Sequence, residues 1–289
     1  MRPFAYVRPE ALDDLVALME NHGPAAQLLA GGTDVVTRLR RGRIRPDIVI
    51  DLKRVDGLRA DIVEQDGALR IGARAVMTDI IGDVRVQRHF PALVEAARVV
   101  GSVQIRNRAT LIGNICNASP AADTAPALLV YGAFVNLFGP AGRRRRPISA
   151  FFTGPGCTAL ERGEIVESID LPISTAPTAA AFGRVTRRRG VDIATVNLCC
   201  LVNASGLTRF AYGAVGPRPF LVQDYSGVLA GRDSSAAERT AILRRFIAQA
   251  HPISDVRGSR DYRLAMLDVM SRRSLVVALD RLRRSLTGA

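Results

Sequence analysis

The run Leu28-Leu29-Ala30-Gly31-Gly32-Thr33-Asp34 constrains the fold more than any other segment of the chain. Residues 26–30, apolar but for Gln27, predict a strand that runs straight into two glycines. Val35, Val36 and Leu39 then predict a short helix ending near Gly42. Glycine permits positive φ and lets a ligand lie against the backbone. Several N–H groups converge at the start of such a helix, where an anion is favoured. A pyrophosphate is the natural guest, and an ordinary tight turn is the alternative. The pattern is neither Gly-x-Gly-x-x-Gly nor a Gly-Lys-Thr loop, which disfavours Rossmann and P-loop readings.

The flanking sequence extends this unit. A strand is expected over 4–7. A helix with Pro9 at its first position carries Leu12, Leu15, Val16 and Met19, and stops at His22-Gly23-Pro24. A buried strand follows over 47–52, so residues 4–52 read as βαβαβ. Alternating segments over 58–63 and 68–73 meet at Gln65-Asp66-Gly67, a hairpin signal. Helices are expected over 78–84 and 91–100. Another is expected with Thr124 as its N-cap and Pro126 just inside. Strands over 133–138 and 165–171 precede a Pro/Ser/Thr-rich connector at 172–177. Beyond it come strands over 195–202 and 208–215, then helices over 236–250, 262–270 and 274–286. The expected division is 1–176, with subdomains of about 1–55 and 56–176, and an α+β module over 177–289. A length of 289 residues suits two domains, each burying its own core.

A second segment is rich in small and amide residues. It runs from Arg106-Asn107-Arg108-Ala109-Thr110 through Leu111-Ile112-Gly113-Asn114 to Ser119-Pro120-Ala121-Ala122-Asp123. Read as one irregular stretch, it offers backbone donors, polar side chains and a carboxylate suited to hydroxyl groups. The alternative is a loop whose Asn and Ser residues satisfy their own backbone.

Forty basic residues against 27 acidic ones give a net charge of +13, and Lys53 is the single lysine. Such charge raises nucleic acid as a partner. The densest cluster, Arg143-Arg144-Arg145-Arg146, lacks interleaved aromatics and reads as a solvated turn. An arginine-lined surface for a protein partner fits better than nucleic acid. There is no apolar run long enough for a membrane span and no apolar signal core at the N-terminus, so a cytoplasmic chain is expected. The cysteines at 116, 157, 199 and 200 are scattered, and reduced thiols are expected.

Ala30 to Asp34, Ile105 to Ile115 and Ser119 to Asp123 together resemble the FAD-binding medium subunit of the molybdenum hydroxylase family. That family includes xanthine dehydrogenase, carbon monoxide dehydrogenase and aromatic-CoA reductases. The resemblance continues through Gly154-Pro155-Gly156, Glu164-Ile165-Val166, Arg187 to Val196 and Ser254 to Arg263, in the family's order. It implies an α+β fold with a vanillyl-alcohol-oxidase-like FAD domain of two α/β subdomains, followed by a C-terminal α+β domain. It further implies that Gln27, Leu28, Leu29, Ala30, Gly31, Gly32, Thr33 and Asp34 wrap the FAD pyrophosphate. Thr110, Leu111, Ile112, Gly113, Asn114 and Ser119 would hold the other side of the cofactor. Asp123 would take a ribityl or ribose hydroxyl, and Ile165 would face the adenine. Arg184, or Gly183 in the other register, would stand near the flavin. Arginines there would stabilise an anionic reduced flavin by charge.

Ile112 stands where the family usually has a first glycine. Either it sits at negative φ and points away, or the flavin contact differs. The resemblance also implies an electron-transfer subunit without a nucleophile or acid/base of its own. Its partners would be a large molybdopterin-binding subunit and a small [2Fe-2S] subunit, in a dimer of heterotrimers. An external acceptor such as NAD or a quinone completes the expectation. The scattered cysteines predict no iron–sulfur cluster in this chain. A stand-alone flavin oxidoreductase and a scaffold without FAD are the rivals.

Overall fold

The computed structural model describes residues 2–231 and 234–287. The chain opens with β1 (Ala5–Val7), α1 (Leu12–His22), β2 (Ala26–Leu29), α2 (Val35–Arg40) and β3 (Ile48–Asp51). These form a parallel sheet in the order β1-β3-β2. The central strand β3 is buried along its whole length, which is why Ile48-Val49-Ile50 is apolar without alternation. Helix α1 starts three residues later than Pro9 suggests, with Ala11 as its N-cap. Gly23 ends it at φ 49. Lys53, the single lysine, belongs to this unit. Its Nζ lies 2.7 Å from Asp51 at the end of β3, and the Tyr6 hydroxyl donates to the same carboxylate.

The second subdomain is built on an antiparallel sheet. Its strands are β4 (Ile62–Gln65), β5 (Ala68–Gly72), β6 (Phe134–Gly139), β7 (Gly142–Pro147) and, past the small ribbon of β8 (Phe152–Gly154) and β9 (Cys157–Thr158), β10 (Ile165–Pro172). The order is β4-β5-β10-β6-β7. Asp66 and Gly67 both take positive φ between β4 and β5, the geometry of a type I′ hairpin. Between β5 and β6 run α3 (Met77–Gly82), α4 (Val84–His89), α5 (Pro91–Arg98), α6 (Val103–Arg106), α7 (Leu111–Cys116) and α8 (Thr124–Val130). All seven residues of α8 are buried, and Phe90 packs edge-on to Tyr131 beside it.

Arg143 to Arg146 do not form a solvated turn. They make up most of β7, an edge strand. Arg143 pairs with Glu167, Arg144 with Glu164, and Arg145 approaches Asp170 at 3.6 Å. The guanidinium groups of Arg143 and Arg145 also lie over the rings of Phe138 and Phe134. The periodicity hid this strand because its cross-strand partners are carboxylates and aromatic faces, not apolar residues. Charge along the edge also opposes pairing with another chain.

The C-terminal module is an antiparallel meander of β11 (Thr178–Val185), β12 (Val196–Asn203), β13 (Thr208–Gly213) and β14 (Phe220–Asp224), followed by α9 (Ala236–Ile247) and α10 (Arg260–Thr287). The helices expected over 262–270 and 274–286 are one 28-residue helix. Ser271 and Ser274 are not a break. Both are buried against the sheet, and Ser271 donates to the Leu267 carbonyl at 2.7 Å. Gly183 makes the approach of α10 possible, since a Cβ there would lie 2.8 Å from Ser274 Oγ.

The C-terminal module buries a core of its own, and the other face of its sheet adds to the core of the first module. Alternation along β12 sends Cys199 to one face and Cys200 to the other. Ala180, Cys199, Leu201 and Ala211 complete the core under α5 and α8. Cys200, Val202, Phe210 and Tyr212 pack instead with α9 and α10. Glu95 on α5 ties the modules further, accepting from the Phe182 N–H and from Arg281. Burial raises the thiol pKa of both cysteines well above its ordinary value.

Candidate functional site

The two glycine-bearing segments meet in space. A Cβ on Gly31 would stand 1.8 Å from the Arg108 carbonyl oxygen, so the turn after β2 lies directly on the backbone that leads into α7. Gly32 takes φ +79, which a side chain would strain. Among the described residues, the N–H groups of Gly31, Gly32, Thr33 and Asp34 donate to no group of the chain. Gln27, Leu28 and Leu29 lead into this turn on β2, and Ala30 follows the strand as the first residue of the turn. Asp34 is the N-cap of α2 and is exposed.

The second segment is not one irregular stretch. Thr110 caps α7, its hydroxyl accepting from the Gly113 N–H at 2.9 Å. Leu111 and Ile112 point into the core, whereas Gly113 is open to solvent. Ile112 is helical and is absent from the residues at positive φ. Its side chain therefore points away from the Gly113 face, the first of the two alternatives. Thr110→Ala is expected to lower stability by about 1 kcal/mol, read from the thermal midpoint.

Thr124 is not the N-cap of α8. It is the first helical residue, preceded by Asp123, and its hydroxyl donates to Asn114 Oδ1 at 2.7 Å. That bond fixes Asn114 beside the open Gly113. Ser119 Oγ accepts from the Ala121 N–H at 3.3 Å and shapes the turn that delivers Asp123. Asp123 itself reaches the C-terminal module. Its carboxylate accepts from Asn197 Nδ2 at 2.9 Å and lies 3.3 Å from Arg184 Nη1. Arg184 also donates to the carbonyls of Val99, at 2.8 Å, and Asp192. Ile165 stands apart from this group, at the start of β10 with its side chain in the core.

Burial pushes the Asp123 carboxyl up to about 6, against the opposing pull of Arg184 and Asn197. The folded chain therefore holds this proton more tightly than the unfolded one. From the ordinary value of 3.8 to about 6, this group's contribution to stability falls as pH rises, and it is lost above that window. Asp123→Asn should remove that component. The difference in unfolding midpoint between wild type and variant should change across this window and be flat above it; a difference that is constant throughout refutes the assignment.

Three features suit a ligand carrying phosphates and hydroxyls. The Gly31–Asp34 donors are unpaired, Gly113 leaves an open face, and buried Arg184 Nε and Asn197 Oδ1 have no partner. Asn197 escaped the sequence reading, although a lone amide in the apolar run Val196-Asn197-Leu198-Cys199-Cys200 is a signal of its kind. Arg108 and Ala109, which receive the glycine turn through their backbone, left no such signal.

Fold and site define a two-module flavin-binding protein, in which two subdomains meet at a glycine turn and a C-terminal sheet closes over them. Residues 2–174 match the FAD binding domain in molybdopterin dehydrogenase, and residues 181–277 match the CO dehydrogenase flavoprotein C-terminal domain. The chain is 33% identical to the xanthine dehydrogenase FAD-binding subunit of Escherichia coli O157:H7, over 95% of this chain and 96% of the relative. It is 33% identical to the carbon monoxide dehydrogenase medium chain of Hydrogenophaga pseudoflava, over 96% of this chain and 98% of the relative. The solved carbon monoxide dehydrogenase from that organism superimposes with a TM-score of 0.88, at 32% identity and 97% coverage of this chain. This chain belongs to the FAD-binding medium subunits of the molybdenum hydroxylase family, and its cofactor is FAD.

Among the described residues, no helix is long and apolar enough to cross a membrane, and no cluster of three His, Cys, Asp or Glu residues is arranged to hold a metal ion.

Proposed function

We propose that this chain is the electron-transfer subunit of a cytoplasmic molybdenum-containing hydroxylase or dehydrogenase complex, most simply a dimer of heterotrimers. In this reading it receives electrons from the [2Fe-2S] clusters of a small partner subunit, which draws them from a large molybdopterin-binding subunit. It delivers them to an external acceptor such as NAD or a quinone. When bound, FAD supplies the redox chemistry of the subunit. The chain's own residues bind, orient and neutralise. The free N–H groups of Gly31 to Asp34 hold the diphosphate, with Gln27 to Ala30 placing them. Thr110, with Leu111 and Ile112 anchored in the core, fixes Gly113 and Asn114 on the other side. Ser119 and Asp123 serve a hydroxyl of the polyol chain. With the Ile165 side chain inside the core, only its backbone is left to face the adenine. Arg184 holds Asp123 and stands near the flavin. The division at 176/177 separates the FAD-binding domain from the covering module, which contributes Arg184 to the site.

The observation that carries this reading is the meeting of the unpaired glycine turn with the Thr110–Asn114 segment. The test is purification of the chain with its co-encoded subunits. The expected result is one FAD per chain and co-elution with an iron–sulfur protein. A stable isolated chain that oxidises a substrate unaided overturns the subunit reading, and a colourless chain overturns the assigned contacts.

A further inference from the structure

A groove of 450 Å³ lies between α9 and α10, and none of its lining residues belongs to the cofactor segments. Helix α10 lines it with Arg260, Leu264, Asp268 and Arg272, which recur every four residues and so share one face. The opposite wall is the end of α9 and the segment after it, with Arg244, Ile247 and His251. The walls are fixed by bonds of their own. Arg272 crosses from α10 to the Thr240 hydroxyl on α9 at 2.9 Å, and the His251 N–H donates to the Val215 carbonyl at 2.9 Å. A groove held in this way costs a ligand little in ordering.

The charge left over in the groove is positive. Asp268, the single carboxylate among its described lining residues, is taken up by Arg272 through two hydrogen bonds, at 2.9 and 3.2 Å. Arg244 and Arg260 are exposed, and neither makes an ion pair or a side-chain hydrogen bond among the described residues. One helical turn from each arginine, Ile247, Ala248 and Leu264 offer aliphatic surface, with Ile247 and Leu264 packed on the core beneath. No aromatic side chain lines the groove.

Size and chemistry together select the occupant. Nine residues line the groove, whereas a stable protein interface takes roughly 20–30 a side. A cavity of this volume is ordinary for a small molecule. The two unpaired arginines call for a negative charge, and their planar forks match a carboxylate. The aliphatic floor calls for a chain, which a bare inorganic anion lacks. The geometry points to a second binding site, for a small aliphatic carboxylate, in the groove between α9 and α10. Arg244 and Arg260 supply the charge that holds the carboxylate, and the chain lies along Ile247 and Leu264. This site is additional to the cofactor site and does not depend on the electron-transfer reading.

The test is calorimetry on the purified, FAD-loaded complex with octanoate as the probe. Octanoate is expected to bind saturably, at one site per copy of this chain. Octanamide keeps the chain without the charge, and acetate keeps the charge without the chain; each should bind at least tenfold more weakly. The double variant Arg244→Gln with Arg260→Gln should lose at least tenfold in affinity for octanoate, and Arg244→Lys with Arg260→Lys should recover most of that loss. Both positions are exposed, so the thermal midpoint and the ratio of FAD to chain should stay as they are. Arg283→Gln, at an exposed position near the far end of α10, should leave the affinity unchanged. Octanamide binding as tightly as octanoate overturns the role of the arginines, and acetate doing so overturns that of the aliphatic floor. Octanoate taken up at many sites, or equally well by the glutamine double variant, is detergent-like uptake and overturns the site. So does a complex that takes up none.

Discussion

Gly31→Ala is expected to abolish FAD binding and to lower stability by about 3 kcal/mol or more, as overpacking against an unyielding neighbour does. The new Cβ would stand 1.8 Å from the Arg108 carbonyl oxygen and 2.7 Å from its carbon. Both atoms are backbone, so neither can swing aside as a side chain would. Relief requires the turn after β2 to lift off the segment leading into α7, and that separates the two halves of the cofactor site. Gly42→Ala is the control. It places a side chain at φ +63 with nothing within 4 Å, so it carries conformational strain without a clash. That strain is about 1–2 kcal/mol. Flavin content and thermal midpoint, measured on both variants, separate the two effects. A Gly31→Ala protein that retains stoichiometric FAD and melts with Gly42→Ala would show that the close approach has no consequence.

The second large effect is expected at Arg263. Its side chain is buried at the N-terminal end of α10, and its guanidinium donates to the Thr195 carbonyl at 2.6 Å, the Ala214 carbonyl at 3.0 Å and Asp255 at 2.7 Å. Ala214 sits at φ 61, a conformation that needs support. It receives that support from Arg263 and from its own N–H bond to the Pro120 carbonyl. Arg263→Met keeps much of the volume but takes the donor from the buried Thr195 carbonyl and the part-buried Ala214 carbonyl, and leaves Asp255 with Arg257 alone. The expected loss is about 3–5 kcal/mol, read from urea unfolding. Arg263→Lys should fall between, since one ammonium cannot reproduce a planar fork. Arg273→Ala, at an exposed position on the same helix, should change stability by less than about 0.5 kcal/mol. A loss at Arg263→Met as small as that would refute the clamp.

Much of the first subdomain was legible because its signals are local. Ile48-Val49-Ile50 could only be a buried strand and Gly23-Pro24 had to end a helix, and in the second subdomain Asp66-Gly67 had to turn a hairpin. β7 was missed because its stabilising partners lie on β6, on β10 and just before β10, and are aromatic or acidic. α10 was divided because Ser271 to Ser274 look polar in one dimension, although both serines face the C-terminal sheet. Helix α7 was missed because Thr110, Gly113 and Asn114 read as loop chemistry, when Thr110 is in fact a cap.

By itself the sequence determined the βαβαβ start, the double-glycine turn, the polar segment around Asn114 and the resemblance that joins them. All of these rest on neighbours in the chain, through backbone freedom, capping and short-range periodicity. The tertiary structure alone decided that Gly31 rests on Arg108, that Asp123 is shared between Arg184 and Asn197, and that one face of the C-terminal sheet completes the core of the cofactor domain. Each of those depends on groups many residues apart being brought within a few ångströms. Packing and desolvation settle such contacts, and no local pattern of residue types encodes them.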